Sequence, residues 1–134
     1  MIPDPKPKRK YKHKTTRQKL DSDCLKLWSL CVRTRDKTCR NCNSDYMLQA
    51  HHIVQRNYKA SRYILDNGLT LCSRCHFAEH VDPERFRSIV IGVIGEKGYL
   101  SRQEAYRIPY KHSIEGLEEI RTYLKLDLQR LEGE

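Results

Sequence analysis

From Cys24 onward the apolar positions Leu25, Leu27, Trp28, Cys31 and Val32 recur at helical spacing. Asp21, Ser22 or Asp23 can cap that helix, which is expected to begin near Cys24 and end near Arg35–Lys37. Cys24 and Cys31 sit on its buried side and read as small core hydrophobes. The pattern then shortens. Residues 47–54 suit a strand, 57–67 a polar and aromatic loop, and Gly68 a tight turn into a second short strand, Leu69–Leu71. A short helix comes next, through His80. Asp82 and Pro83 have the chemistry of an N-cap and first helical residue, for a helix burying Phe86, Ile89, Val90 and Val93. Gly92, Gly95 and Gly98 are expected to break up the chain beyond it. Ser113 can cap a last helix, with Leu117, Ile120, Leu124, Leu128 and Leu131 as one stripe. These elements predict a small α+β fold with no internal repeat.

Composition narrows the class. Only 38% of the residues are hydrophobic and mean hydropathy is −0.79. A core this lean commonly needs a staple, so the six cysteines matter. No apolar run suits a membrane span, and no apolar segment follows the basic N-terminus as in a secretory signal. The expected location is therefore a reducing cytoplasm, where paired cysteines act as metal ligands rather than disulfides.

The net charge of +9 is unevenly placed. Residues 1–20 hold eight Lys or Arg, including Lys8, Arg9, Lys10, Lys12 and Lys14, against Asp4 alone. With three prolines and little to bury, this segment reads as a disordered basic arm that attracts DNA phosphates. Its bland counterpart is a solubilising tail. Residues 21–100 would form the main domain. Residues 101–134 would form a loop and a helix packed on that domain or on a second copy, giving a monomer or homodimer.

Two knuckles, Cys39-x2-Cys42 and Cys72-x2-Cys75, have the spacing of a four-thiolate zinc site. Four protein ligands leave no open position, so this zinc would be structural. Between and beside the knuckles lie His51, His52, Asn67, His76 and His80. Adjacent strand residues face opposite ways, so His51 and His52 should have different roles. His76 and His80, four apart on a helix, can reach one metal. Phosphodiester hydrolysis needs a metal at the phosphate and a base for water, and a neutral imidazole suits the second task.

The string Cys39-x2-Cys42, His51-His52-Ile53, Asn67-Gly-Leu-Thr-Leu-Cys72-x2-Cys75-His76 resembles the HNH endonucleases, whose fold is the ββα-metal motif. The resemblance covers about residues 39–80. It implies His52 as general base, His51 and His76 as ligands of a catalytic divalent metal, and Asn67 as the brace of the base-bearing loop. His80 resembles the extra ligand of the colicin-nuclease branch. His51 stands where an aspartate is common, which implies Zn²⁺, Ni²⁺ or Mn²⁺ beside Mg²⁺ as candidate metals. Arg56 and Arg62 flank the histidines and read either as a clamp on the phosphate of the scissile strand, with Arg56 part of the catalytic set, or as solvated surface arginines. Leu27-Trp28-Ser29, Val32-Arg33-x-Arg35-Asp36, Arg56, Arg62, Cys75-His76-Phe77 and His80 carry a wider resemblance, from Leu27 to about Tyr99, to phage recombination nucleases of the NinG/Rap type. It implies a phage or prophage gene acting in the host bacterial cytoplasm, on duplex or branched DNA, in recombination, processing or packaging.

Two other readings fit parts of the pattern. His76-Phe-Ala-Glu79-His80 spells the inverted zincin motif of some metalloproteases. That reading leaves His51, His52, Asn67 and the cysteines without a purpose. A zinc-stabilised DNA-binding module without activity would have no need of the His51, His52, Asn67 and His76 set.

Overall fold

The computed structural model describes residues 1–10 and 12–134, with residues 78–80 described by backbone alone. Among the described residues the architecture is a small α+β fold: five α-helices around one two-stranded antiparallel sheet. The order is α1 (Thr16–Asp36), β1 (Leu48–His52), β2 (Gly68–Cys72), α2 (Ser73–Val81), α3 (Pro83–Ile94), α4 (Glu96–Tyr106) and α5 (Ile114–Glu132), with a single 3₁₀ turn at Leu65–Asn67 before β2. No described helix is long and apolar enough to cross a membrane.

The first helix begins two turns earlier than its apolar pattern predicts. Thr15 and Gln18 form a capping box: the Thr15 hydroxyl accepts from the Gln18 N–H at 3.2 Å, and the Gln18 side chain accepts from the Thr15 N–H at 2.9 Å. Leu20 is buried and extends the stripe of Cys24, Trp28, Cys31 and Val32 backward by one turn. Residues 16–20, expected in the basic arm, are therefore helical. The segment 1–10 has no regular structure and is exposed.

Helices α1 and α5 form one core. Leu117, Leu124 and Leu131 of α5 lie against Leu20, Cys24, Trp28, Cys31 and Val32. The C-terminal stripe thus covers α1 of its own chain. The Cys24 and Cys31 thiols donate to the carbonyls of Leu117 and Leu124, each at 3.4 Å. Burial pushes both thiols up to about 11.

A second core gathers Ile53, Leu69, Leu71 and Val90 around Cys39, Cys72 and Cys75, with Phe86, Ile89 and Tyr99 packed against it. Helix α3 starts as its caps dictate, with the Asp82 carboxylate accepting from the Arg85 N–H at 3.2 Å. Of the three glycines expected to break the chain here, Gly95 alone does so, at φ +81°. Gly92 lies inside α3 and Gly98 inside α4. Helix α4 has no buried stripe, so hydrophobic periodicity gives no sign of it.

The 3₁₀ turn and the end of α1 are tied together by Arg35 and Asp36. Arg35 donates to the carbonyls of Leu65 (2.9 Å) and Gly68 (2.7 Å), and pairs with Asp36 at 2.8 Å. The buried Asp36 carboxylate accepts from the Thr70 N–H at 2.9 Å. Burial would raise the Asp36 carboxyl, but the hydrogen bonds from Arg35 and Thr70 and the Arg35 charge hold it below the usual carboxylate range.

Candidate active site

The hairpin register sets His51 opposite Leu69 and His52 opposite Gly68. Neighbouring strand residues face opposite sides, and the two imidazoles enter different surroundings.

His52 turns toward α1. Its ring stacks on Trp28, with centroids 3.9 Å apart and planes at 9°. Trp28 is fixed in turn, because its Nε1–H donates to the Ile64 carbonyl at 2.9 Å. Gly68 makes this approach possible. A Cβ there would lie 2.6 Å from Trp28 Cζ2 and 2.7 Å from Val32 Cγ2. The sequence suggests a turn glycine, but its φ is −125°, ordinary extended backbone. The residue is needed for close packing, not for a special dihedral.

His52 Nε2 lies 2.8 Å from the Arg62 carbonyl. A carbonyl can only accept, so Nε2 carries the hydrogen and Nδ1 holds the lone pair of the neutral ring. Burial is the largest influence on His52 and lowers its pKa. The bond to the Arg62 carbonyl opposes that shift, and the charges of Arg56 and Arg62 add to it. The outcome is a neutral, oriented imidazole with Nδ1 as its basic atom.

The loop that presents the Arg62 carbonyl is held from inside. Asn67 is fully buried. Its Oδ1 accepts from the Val54 N–H at 2.7 Å, and its Nδ2 donates to the carbonyls of Val54 (3.1 Å) and Ser61 (3.2 Å). Arg62 donates through Nε to the Arg56 carbonyl and through Nη1 to Asp21, each at 2.8 Å. The Tyr63 hydroxyl also donates to Asp21. The Arg62 guanidinium is thus engaged in fastening the loop to α1, whereas the Arg56 side chain is exposed beside it.

His51 turns the other way and is buried. Its ring meets His76 of α2 at 4.1 Å between centroids, tilted by 36°, and Phe86 of α3 edge-on at 5.7 Å. His51 Nε2 and His76 Nδ1 both lie beneath the surface. Two imidazoles converging in this way fit a pair of ligands for a divalent ion. Glu79 and His80 are the zincin base and the extra ligand that the sequence suggests. Their side chains lie outside the described residues.

The knuckles converge as their spacing predicts. The ligand atoms of Cys39, Cys42, Cys72 and Cys75 all lie within 4.8 Å of one another, and the Cys42 and Cys72 sulfurs are 3.5 Å apart. Tetrahedral zinc with bonds of about 2.3 Å sets its sulfurs roughly 3.8 Å apart, so the four thiols fit that ion. Among the described residues no other group of three or more His, Cys, Asp or Glu side chains is so placed. Burial would raise the Cys39 thiol, but the backbone N–H groups of Cys72, Cys42 and Asn41 favour its thiolate and hold it at about 7. Cys75 goes the other way: burial pushes it up to about 12, against a 3.3 Å hydrogen bond from Asn41.

Lys8, Arg9, Lys10, Lys12 and Lys14 are all exposed, and Lys14 reaches back to the Ser22 hydroxyl at 3.3 Å. The charge of the arm is therefore available to solvent.

Residues 39–82 match the HNH endonuclease family model. The matched third of the chain contains both knuckles, His51, His52, Asn67 and His76. No curated protein and no solved structure matches the chain. The matching segment is a ββα unit formed by β1, β2 and α2, with four cysteines positioned for a metal ion, as in the ββα-metal fold. Trp28, Arg35, Asp36 and Asp21 lie before it and support it from α1. From sequence, Trp28, Arg35 and Asp36 are no more than helix positions or points of the wider resemblance. Their tasks depend on contacts more than twenty residues away along the chain, which local pattern does not encode.

Proposed function

We propose that this protein is a metal-dependent DNA endonuclease that hydrolyses phosphodiester bonds, with His52 as general base. The observation that carries the reading is the state of His52. Stacked on Trp28 and donating through Nε2 to Arg62, it presents Nδ1 to take one proton from the attacking water. The match of residues 39–82 to HNH endonucleases supports the same chemistry. His51 and His76, with His80 one turn further along α2, are the residues that would hold the catalytic divalent ion. When bound, the ion would neutralise charge on the phosphate and the departing 3′ oxygen. Asn67 keeps the loop behind His52 in place. Arg56 and the basic arm supply phosphate contacts, which give affinity without sequence preference. The cysteine-bound zinc is structural in this reading. The wider resemblance across residues 27–99 supports a phage or prophage role in recombination, processing or packaging, with duplex or branched DNA as substrate.

Supercoiled-plasmid nicking over a series of divalent metals tests the mechanism. His52→Ala should lose about 10²–10⁴-fold in rate in every metal, at unchanged zinc content and DNA affinity. His76→Ala should instead weaken metal dependence, and excess Mn²⁺ or Mg²⁺ should restore part of the rate. Nicking by His52→Ala at the wild-type rate would remove the base from this scheme.

A further inference from the structure

His52 also lines a cleft of about 630 Å³ whose other wall is built by α3 and α4, largely beyond the HNH-matching residues. Two arginines stand there over tyrosine rings. Arg87 lies 5.3 Å from the centre of the Tyr99 ring, and Arg107 lies 5.4 Å from that of Tyr58. Arg107 also donates to the Tyr58 hydroxyl at 3.2 Å. Gln103 adds an amide to the same wall, and Glu84 is the only acid among the described lining residues. Two cations against one anion favour a negatively charged occupant. The volume lies in the range that encloses one small molecule. It suits a nucleotide or two rather than a base-paired duplex.

Planar guanidinium and phenol groups are the side chains on which unpaired bases stack, and stacking tolerates any base because each has a π-face. Arginine and amide groups around them can meet a phosphate and a base edge. We propose that this cleft is a subsite for one unpaired nucleotide of the DNA strand beside the phosphate served by His52, a reading that rests on the nuclease assignment. Each arginine–tyrosine pair, Arg87 with Tyr99 and Arg107 with Tyr58, is one stacking surface, and the two guanidiniums are also its phosphate contacts. The subsite makes the protein prefer DNA with an unpaired nucleotide next to the cut over continuous duplex.

The test uses the full chain, without added divalent metal, and three labelled probes: a single-stranded oligonucleotide, a fully paired duplex, and the same duplex with a one-nucleotide bulge. Wild type should bind the single strand and the bulged duplex more tightly than the paired one. Tyr99→Leu and Tyr58→Leu should each weaken binding of the two unpaired probes by about 5- to 100-fold while leaving the paired duplex nearly unchanged. Tyr99→Phe should retain binding, since the ring remains. Arg107→Gln should lower the salt dependence of single-strand binding by about one unit of slope. Because Tyr99 packs against the second core, zinc content and circular dichroism accompany each variant. If Tyr99→Leu does not fold, Tyr58→Leu and Arg107→Gln carry the test. Equal affinity of both tyrosine variants and wild type for the unpaired probes would overturn the subsite, as would a loss of the same size on all three probes. Wild-type nicking alongside unchanged tyrosine variants would discard the cleft alone. Tyrosine-dependent binding without nicking in any metal would keep the cleft and discard the nuclease assignment.

Discussion

The two cores use cysteine in opposite ways. Between α1 and α5, Cys24 and Cys31 are fully buried, one helix carrying both, with each thiol donating to a carbonyl of the facing helix. They behave as small apolar side chains whose one polar hydrogen is satisfied. Around the hairpin, Cys39, Cys42, Cys72 and Cys75 come from two distant knuckles and turn their sulfurs toward a common centre. The first core has leucines from two long helices to hold it. The second is built on two five-residue strands, with Ile53, Leu69, Leu71 and Val90 buried beside three of the cysteines, so an ion held by the sulfurs would add a staple that the first core does not have. Sequence spacing, more than burial, separates the two kinds: Cys39, Cys72 and Cys75 are buried as well. His52 sits where the cores meet, carried by the hairpin and stacked on Trp28 of α1. Its orientation thus draws on both.

Breaking the cysteine-lined half should have the largest effect. Cys72→Ser removes one thiolate of the proposed zinc site, and structural zinc sites of this type are worth on the order of 10 kcal/mol in binding free energy. The expected outcome is loss of zinc, loss of hydrogen-exchange protection across residues 39–82, and retained protection in α1 and α5. Elemental analysis and exchange mass spectrometry read these together. Full protection of 39–82 in zinc-free protein would show that the hairpin core stands unaided and that the contrast between the cores is wrong.

A subtler break attacks the seam. Gly68→Ala places a methyl 2.6 Å from Trp28 and 2.7 Å from Val32, both buried ring or branch atoms with little room to retreat. Overpacking of this kind costs about 1–3 kcal/mol. The strain falls on the ring that supports His52, so plasmid nicking should slow at unchanged zinc content. Urea unfolding gives the first quantity and nicking the second. A stable variant with wild-type nicking would mean that Trp28 packs beside His52 without orienting it.

The range of each interaction decides how much of this is legible in the sequence. The knuckles, the hairpin with its opposed histidines, the caps at Asp82 and Ser113, and the α5 stripe are all local patterns, and residues within a few positions of each other specify them. The start of α1 is hidden because its capping box lies in a segment whose composition reads as a basic arm. Helix α4 is hidden because it buries nothing completely and contains Gly98. At the site, His51, His52, Asn67 and His76 are legible from type and spacing. The Trp28 platform, the Asp36 strut to Thr70 and the fastening of Arg62 to Asp21 are not. Each joins residues far apart along the chain, and Arg62 in particular reads as a surface phosphate contact because nothing nearby in sequence announces its carboxylate partner.

The smallest expected effect probes the other cysteine pair. Cys24 is wholly buried among Leu20, Trp28 and Leu117, and its thiol hydrogen meets the Leu117 carbonyl at 3.4 Å. Cys24→Ala removes one sulfur and a weak hydrogen bond, leaving a space of about one atom. The Leu117 carbonyl is not orphaned by the change, because it lies near the start of α5 and its oxygen can still accept along the helix. The cost should therefore be a packing increment of about 1 kcal/mol, with zinc content and nicking unchanged. Cys24→Ser tests the same point from the other side. It keeps a donor for Leu117 but puts a hydroxyl in an apolar setting, so it should be no more stable than the alanine variant. Urea midpoints of the two variants, with zinc measured on each, decide the matter. If Cys24→Ala released zinc, the two cysteine sets would be coupled and the division between the cores would have to be redrawn.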